Sequence, residues 1–342
     1  MSVLLSCIIT ACSNSNTSER NSSKQDSAIS PVNSNVHVEI IKPEALKLLD
    51  SNLKPEVIAS GFTWTEGPLY VPAGDYLLFS DIPNNTVYKW TEAKGKEVYL
   101  KPSGYTGSVA RGGETGSNAL VLSGDGKLVL CQHGNRQMAI MDADIDNPKP
   151  VYKTIAATYQ SKKFNSPNDA VYRSDGTLFF TDPPYGLEKN MDDPLKEIPF
   201  QGVYKVDASG NVKLLTDSIS RPNGIAFMPG EKTLLVANSD STKPVWYMFD
   251  VDANDSLVNQ RIFYDASVEA KKEKGLPDGM KIDKKGNIFA TGPGGVWVFD
   301  QAGKVLGKIK IPVSCSNIAL TPDEKTLFIT ADMYVLRLKL KE

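Results

Sequence analysis

Residues 168–182, NDAVYRSDGTLFFTD, contain the pattern from which the fold can be predicted. A polar residue is followed by a short apolar strand, a turn rich in Ser, Asp and Gly, and a second strand of β-prone residues, which is the pattern of a β-hairpin. Five further stretches have the same layout, so the chain contains an internal repeat of six hairpins. The other five begin at Glu66, Asn118, Asn223, Asp278 and Asn317.

The spacing of the six hairpins predicts how they are arranged. Successive starts are 39 to 55 residues apart, which is the size of a four-stranded blade in a β-propeller. Strand-like runs between the hairpins, such as 202–206 and 295–299, supply outer strands. We therefore predict an all-β fold, a six-bladed β-propeller with four-stranded blades, over residues 55–342. A β-sandwich is the competing all-β architecture, but it does not require six equal hairpins.

The residues just before the first hairpin are predicted to pack against the propeller. Residues 42–54 read as a short helix, at 42–51, followed by a linker. Residues 55–60 form a strand-like run that can pair with the last blade, which is short at its C-terminal end. We therefore expect this run to close the ring.

The N-terminal residues indicate export. Residues 1–11 are short, apolar and rich in small residues, and they end just before Cys12, which is typical of the signal peptide of a bacterial lipoprotein. Residues 12–41 are rich in Ser and Asn and predict a flexible tether. We therefore predict a protein on the periplasmic side of the outer membrane, anchored by a lipid on Cys12. An ordinary disordered N-terminus is the alternative.

The composition argues against several classes of function. The formal net charge is −2 and no block of like charge occurs, so no binding of nucleic acid or of an acidic lipid surface is predicted. No apolar run reaches the roughly 18 residues of a transmembrane helix. Cys131 and Cys315 are isolated and lack CxxC spacing, so neither a disulfide framework nor a zinc–thiolate site is predicted. The oligomeric state is left open.

The first residue of each hairpin carries the chemistry. In a propeller the innermost strands line a central channel, so their starts converge at one mouth of it. Two carboxylates and four amide groups converge there, and this oxygen-rich set suits one divalent cation: Ca²⁺ first, then Mg²⁺, Mn²⁺ or, with water, Zn²⁺. Asn and Asp are also common turn formers, but turn chemistry gives no reason for Glu66. The converging residues are Glu66, Asn118, Asn168, Asn223, Asp278 and Asn317.

Four of these starts lie in longer motifs: TEGP at 65–68, SPND at 166–169, RPNG at 221–224 and LPDGM at 276–280. As a set in this order, the motifs resemble the gluconolactonase and senescence-marker-protein (regucalcin-like) family. The stretch QHGNR at 132–136 is similar to the bacterial branch of that family. The resemblance implies a six-bladed propeller and a lactonase that needs a divalent cation.

The resemblance also implies a role for each matching residue. By this resemblance, Glu66, Asn223 and Asp278 ligate the metal, and Asn168 completes the shell directly or through water and touches the substrate. Asp278 doubles as the general base. The cation polarises the carbonyl of a small sugar lactone and lowers the pKa of a water molecule that attacks it.

The second strand of each hairpin returns to the same face, so its end predicts the pocket wall. Tyr185, in the rigid segment 181–186, is suited to stacking on a sugar, although a structural turn explains this segment equally well. We predict substrate contacts from Asn118, Asn168, Asp182, Tyr185 and Arg111. His133 is predicted to be catalytic, as a second proton carrier or as an orienting hydrogen-bond donor. Glu114, in the same Gly-rich loop as Arg111, is also expected to reach the mouth.

Three functions follow from such a site. The first is metal-dependent hydrolysis of a sugar lactone, the second is a phosphotriesterase or arylesterase activity on the same metal, and the third is a non-catalytic propeller that binds a ligand. The carboxylates at 66 and 278 argue against the third, because a scaffold has no reason to gather unpaired acids on its axis. A serine hydrolase is not predicted, because the sequence has no G-x-S-x-G motif.

Overall fold

The computed structural model of the protein describes residues 35–341. Nearly all regular structure within them is β-strand, and three short 3₁₀ helices occur at Pro43–Lys47, Pro72–Gly74 and Asn190–Asp192. None of the helices in this part of the chain is long and apolar enough to cross a membrane.

The strands are numbered in chain order. Two precede the first hairpin: β1 (His37–Ile40) and β2 (Glu56–Ser60). Blade 1 contains β3 (Thr65–Val71), β4 (Tyr76–Asp81), β5 (Thr86–Thr91) and β6 (Gly95–Leu100). Blade 2 contains β7 (Ser117–Leu122), β8 (Leu128–Gln132), β9 (Gln137–Met141) and β10 (Tyr152–Ala156). A small hairpin follows, β11 (Thr158–Tyr159) and β12 (Lys162–Lys163).

The remaining strands form four more blades. Blade 3 contains β13 (Ala170–Tyr172), β14 (Leu178–Asp182), β15 (Gly202–Val206) and β16 (Val212–Thr216). Blade 4 contains β17 (Pro222–Phe227), β18 (Thr233–Asn238), β19 (Val245–Val251) and β20 (Leu257–Asp265). Blade 5 contains β21 (Met280–Ile282), β22 (Ile288–Gly292), β23 (Gly295–Phe299) and β24 (Val305–Lys310). Blade 6 contains β25 (Cys315–Leu320), β26 (Thr326–Ala331) and β27 (Tyr334–Lys339).

The six predicted hairpins are the first two strands of the six blades, and the predicted propeller is confirmed. Each inner strand contacts the inner strand of the next blade, and β25 contacts β3, so the ring is closed on the inside. Alternate side chains of a strand face opposite neighbours. Phe180 packs in a cluster with residues of blade 2, whereas Phe179 packs with residues of blade 4. Both faces of each blade are therefore apolar, and the core lies between the blades.

The ring is closed on the outside by β2, as predicted. It pairs with β27 in antiparallel register, with Val57 opposite Leu336 and Ser60 opposite Tyr334. The chain then turns inward at Phe62, whose ring packs edge-on against Phe79 at 5.0 Å between centroids. Blade 6 thus takes its outermost strand from the N-terminal side of blade 1.

The predicted tether, residues 12–41, extends too far at its C-terminal end. Residues 37–40 form β1, which pairs with β24 and gives blade 5 a fifth strand. Val38 is buried there, because its side chain faces the blade while its neighbours point away. The predicted short helix is present as the 3₁₀ helix at 43–47. Ala45 and Leu49 are fully buried in the hydrophobic cluster that also contains Val38. The predicted signal peptide, Cys12 and the tether up to residue 34 lie outside the described residues.

Neighbouring inner strands approach each other closely at one mouth of the channel. A Cβ atom on Gly67 would overlap the backbone carbonyl of Asn118, and one on Gly224 would overlap that of Asp278. Hydroxyl groups of the second strands bind carbonyls in the next blade: Ser80 Oγ donates to Asn118 O at 2.9 Å, and Thr181 Oγ1 donates to Asn223 O at 2.8 Å. These contacts fix the strand starts relative to one another.

The closing strand is expected to be essential for stability. A chain that begins at Thr63 leaves the edge of β27 unpaired and loses the Phe62 ring, so we expect Tm to fall by roughly 10 °C or more. Thermal unfolding followed by circular dichroism measures the change. The matched control is a chain that begins at Pro55, which lacks β1 and the first 3₁₀ helix but keeps β2. Equal Tm values for the two chains would contradict a closing role for β2.

The close approach of the strand starts makes a second prediction. Gly224→Ala forces two backbone segments apart, so we expect it to lower the free energy of unfolding by about 1–3 kcal/mol. The control is Gly124→Ala, because Gly124 lies in a hairpin turn where an added Cβ meets no atom within 4 Å. Urea unfolding compares the two variants. The steric argument fails if both have the midpoint of the unsubstituted protein.

Candidate active site

A cavity of about 440 Å³, which we call the axial cavity, opens where the inner strands begin. Five of the six predicted starts line it, namely Glu66, Asn118, Asn168, Asn223 and Asp278. The predicted convergence is therefore present in the structure for these five. The other lining residues are Trp64, Glu114, Tyr185, Ser239, Gly275, Leu276, Ser314 and Cys315.

The sixth start, Asn317, does not line the axial cavity. It is the third residue of β25, whereas Glu66, Asn118 and Asn223 are each the second residue of their strands. It therefore lies one residue deeper in the channel. Its Oδ1 accepts a hydrogen bond from the backbone of Ile318 at 2.9 Å. Ser314 and Cys315 take its place in the wall.

Four side-chain oxygens of residues that line the axial cavity are buried and have no hydrogen-bond donor within residues 35–341. They are Oδ1 of Asn118, Asn168, Asn223 and Asp278. A buried oxygen without a partner loses the hydrogen bonds it made to water, which costs about 1–3 kcal/mol, so such atoms in a native protein need an explanation. Together with the carboxyl group of Glu66, these atoms are hard oxygen donors of the kind that divalent cations such as Ca²⁺ prefer.

The donor set mixes acids with amides. Within residues 35–341, no three His, Cys, Asp or Glu side chains converge in a way that could hold a metal ion. Two carboxylates completed by neutral amide oxygens give a site of low charge, which is a combination that Ca²⁺ accepts and that Zn²⁺ does not favour.

Ser239 fixes the orientation of the Asn223 amide. The amide nitrogen of Asn223 donates to Ser239 Oγ at 3.0 Å, and Ser239 Oγ in turn donates to the carbonyl of Pro277. Because a hydroxyl has only one proton, Ser239 can only accept from Asn223. The amide oxygen is therefore held toward the cavity.

His133 has the same relation to Asn168. The amide nitrogen of Asn168 lies 3.4 Å from His133 Nε2, and His133 Nδ1 lies 3.1 Å from Glu114 Oε2. When Nε2 accepts from the amide, the proton of a neutral ring is on Nδ1, which lies in close contact with the Glu114 carboxylate but makes no hydrogen bond to it. His133 is fully buried and does not line the axial cavity. Its contacts favour a positioning role in which Nε2 accepts from Asn168, whereas the predicted orienting role was that of a donor; a catalytic role for His133 stays a prediction.

The acids of the site perturb one another. Burial raises the pKa of Glu66 to about 8, although the Gly67 amide, which donates to it at 2.8 Å, acts in the opposite direction. Burial, followed by the charge of Glu66, raises the pKa of Asp278 well above its ordinary value. Burial also raises the pKa of Asp169, which lies next to Asn168 in the chain. A bound cation reverses this preference, because it favours the ionised forms.

Asp182 was predicted to contact the substrate, but it does not line the axial cavity and instead binds neighbouring backbone. Its carboxylate accepts hydrogen bonds from the backbone amides of Asn165 and Ser166 at 2.8 and 2.7 Å. Burial raises its pKa to about 7. Asp81 accepts from the backbone amides of residues 63 and 64 in the same way, at 3.2 Å each. The ends of these two second strands therefore hold the segments that lead into the inner strands.

Arg111 also lies outside the lining of the axial cavity. Its guanidinium donates to the carbonyls of Gly134, at 2.7 Å, and Gly186. These hydrogen bonds connect the Gly-rich loop to two neighbouring turns. Arg111 was predicted to contact the substrate, whereas the contacts seen here are structural. Tyr185 does line the cavity, and its hydroxyl donates to Ser239 O at 3.3 Å.

Several lining residues were not predicted from the sequence. Trp64 directly precedes the TEGP motif and could have been found by extending that motif by one residue. Leu276 opens the LPDGM motif but carries no chemistry that marks it. Ser314 and Cys315 precede Asn317 in a segment without a recognisable pattern.

The family resemblance inferred from the motifs is confirmed by comparison with known proteins. A family model described as SMP-30/Gluconolactonase/LRE-like region matches residues 64–332. Over 308 residues, the chain is 38% identical to a gluconolactonase of Zymomonas mobilis subsp. mobilis, which covers 87% of this chain and 85% of that protein.

Solved structures agree with this assignment. A gluconolactonase from Xanthomonas campestris has a TM-score of 0.76 at 28% identity, covering 89% of this chain and 95% of the other. A calcium-binding protein, regucalcin, from Agrobacterium tumefaciens shares the fold, with a TM-score of 0.64 at 20% identity over 84% of this chain and 94% of the other. The chain belongs to the SMP-30/gluconolactonase/LRE-like family.

Proposed function

We propose that the protein hydrolyses small sugar lactones to the corresponding hydroxy acids and that one divalent cation in the axial cavity is required. The observation that carries the proposal is the set of four buried, unpartnered oxygens facing one cavity. The similarity to the Zymomonas and Xanthomonas gluconolactonases supports the choice of a lactone as substrate.

The residues proposed to hold the cation are Glu66, Asn168, Asn223 and Asp278, with Asn118 beside them. Ser239 and His133 hold two of these amides with their oxygens toward the cavity. The all-oxygen donor set makes Ca²⁺ the first choice, with Mg²⁺ and Mn²⁺ next. When bound, the cation supplies Lewis-acid stabilisation of the negative charge that develops on the lactone carbonyl oxygen.

Asp278 is proposed to move the proton. It lines the cavity, and its carboxylate has two oxygens, so one can contact the cation while the other accepts the proton of a water molecule that attacks the carbonyl carbon. The ring C–O bond then breaks, and the same proton passes to the departing ring oxygen. Trp64 and Tyr185 provide flat walls on which a sugar ring can pack.

The proposal predicts turnover that depends on the metal. Protein stripped with a chelator should release no acid from D-glucono-1,5-lactone above the uncatalysed rate, and Ca²⁺, Mg²⁺, Mn²⁺ or Zn²⁺ added in turn should restore release to different extents. Acid release is followed with a pH indicator. Aryl esters and a phosphotriester are assayed in parallel, and a preference for either over every lactone would contradict the proposal.

Two variants separate metal binding from proton transfer. Glu66→Gln removes a charged ligand, so we expect cation affinity to fall by roughly a hundredfold. Asp278→Asn removes the base as well as a charge, so kcat should fall by on the order of 10²–10⁴ even at saturating cation. Calorimetric cation titration and steady-state kinetics measure the two effects. Unchanged kcat in Asp278→Asn would remove the proposed base.

The raised pKa of Glu66 predicts a pH-dependent stability without metal. A buried acid with a folded-state pKa of about 8 contributes stability that is fully present below its unfolded value, near 4.5, and is lost as pH rises through 8. For each proton released on unfolding, the free energy of unfolding falls by about 1.4 kcal/mol per unit rise in pH. We therefore expect Tm of chelated protein to fall between pH 5 and 8.

Differential scanning calorimetry with chelator and with saturating Ca²⁺ tests this expectation. Glu66→Gln is the control, because it lacks the titrating group and should show a shallower decline in the chelated state. Equal pH dependence of Tm in the chelated unsubstituted and Glu66→Gln proteins would refute it.

A further inference from the structure

The charges of the axial cavity are unbalanced. Three carboxyl side chains line it, from Glu66, Glu114 and Asp278, and none of the described residues that line it is Lys, Arg or His. One divalent cation would offset the charges of Glu66 and Asp278. The charge of Glu114 would then remain uncompensated by a lining residue and face whatever occupies the cavity.

Glu114 is placed by the loop between β6 and β7 and not by the hairpin repeat. Its side chain is one-third exposed, and it is held from behind by the contact of 3.1 Å with the buried His133 ring. Arg111, three residues earlier, binds the carbonyls of Gly134 and Gly186 and so fixes the loop. The carboxyl group of Glu114 is therefore presented to the cavity by a fastened segment.

The charge of Glu114 acts on three other residues that line the cavity. Its charge adds to burial in raising the pKa of Glu66 and of Asp278. It acts in the same direction on Tyr185, whose pKa is raised first by burial and next by Asp278. Glu66, Asp278 and Tyr185 line the axial cavity together with Glu114.

We infer that Glu114 is a specificity-determining residue, which makes the axial cavity select neutral polyhydroxylated lactones and reject anionic ones. The inference rests on the proposed lactone hydrolysis. A carboxylate accepts hydrogen bonds from sugar hydroxyls, whereas a like charge in a partly desolvated site is repelled. Hydrolysis converts a neutral lactone and water into a hydroxy acid, which ionises and releases a proton at neutral pH. Glu114 therefore also favours release of the product.

The kinetic test compares two substrates that differ in one charge. D-Glucono-1,4-lactone is neutral, and D-glucaro-1,4-lactone has a carboxylate in place of the terminal hydroxymethyl group. We expect Glu114→Gln to raise kcat/KM for the anionic lactone relative to the neutral one by roughly tenfold. Glu114→Asp keeps the charge and should keep the discrimination of the unsubstituted protein.

Glu188→Gln is the matched control. Glu188 is exposed, packs beside Gly112 and Gly113 of the same loop, and does not line the axial cavity. Its substitution makes the same change in net charge on the same face, so the kcat/KM ratio of the two lactones should not move. The inference is overturned if Glu114→Gln leaves that ratio unchanged, or if Glu188→Gln changes it equally.

A binding experiment decides the inference without turnover. D-Gluconate and its neutral analogue D-glucitol are titrated calorimetrically into Ca²⁺-loaded protein. We expect Glu114→Gln to bind gluconate roughly tenfold more tightly relative to glucitol than the unsubstituted protein does. If no lactone is hydrolysed, the proposed function fails, while the gluconate-to-glucitol ratio still tests Glu114. An equal change for both ligands would leave Glu114 only a structural role and would overturn the inference.

Discussion

The crowding of inner strands at one mouth of the channel is the constraint on which the rest of the site depends. Gly67 and Gly224 allow neighbouring strand starts to touch, and the hydroxyls of Ser80 and Thr181 bind the backbone carbonyls exposed there. Once the backbone is satisfied in this way, side-chain oxygens of residues that line the same cavity are left without donors among the described residues. The polar cavity is thus a consequence of how the blades meet.

This arrangement is unfavourable by itself, and the surrounding core has to offset it. Burying carboxyl groups without a cation raises their pKa values and removes stability as they ionise. The blades supply the compensation, because strands such as β14 bury apolar side chains on both faces. The stability gained by packing between the blades offsets the cost of burying these carboxyl groups at the axis. A bound cation would lower that cost.

The sequence allowed the repeated part of the molecule to be predicted and little beyond it. The hairpins and the five converging starts follow from a pattern that occurs six times. Each hairpin pattern is weak evidence alone, but six copies at similar spacing support one another. Asn317 was wrongly placed at the cavity because a shift of one residue along a strand changes the depth of a side chain in the channel but leaves the hairpin pattern of the sequence unchanged. Asp182 was misassigned because a carboxylate that accepts two backbone amides has the same sequence position as one that faces a substrate. The strand β1 was missed because alternation over four residues is too short to stand out from a polar segment.

The division between repeat and loop has a functional consequence. The strand starts determine what the axis can bind, and they are fixed by backbone contacts that tolerate little change. Glu114 and Ser314 reach the same cavity from segments outside the repeat, where a substitution alters charge or shape without moving a strand. In the proposed function, reaction chemistry and substrate choice are thus encoded in different parts of this chain. A change of one charge in the β6–β7 loop can redirect substrate selection while the donors of Glu66 and Asp278 remain in place.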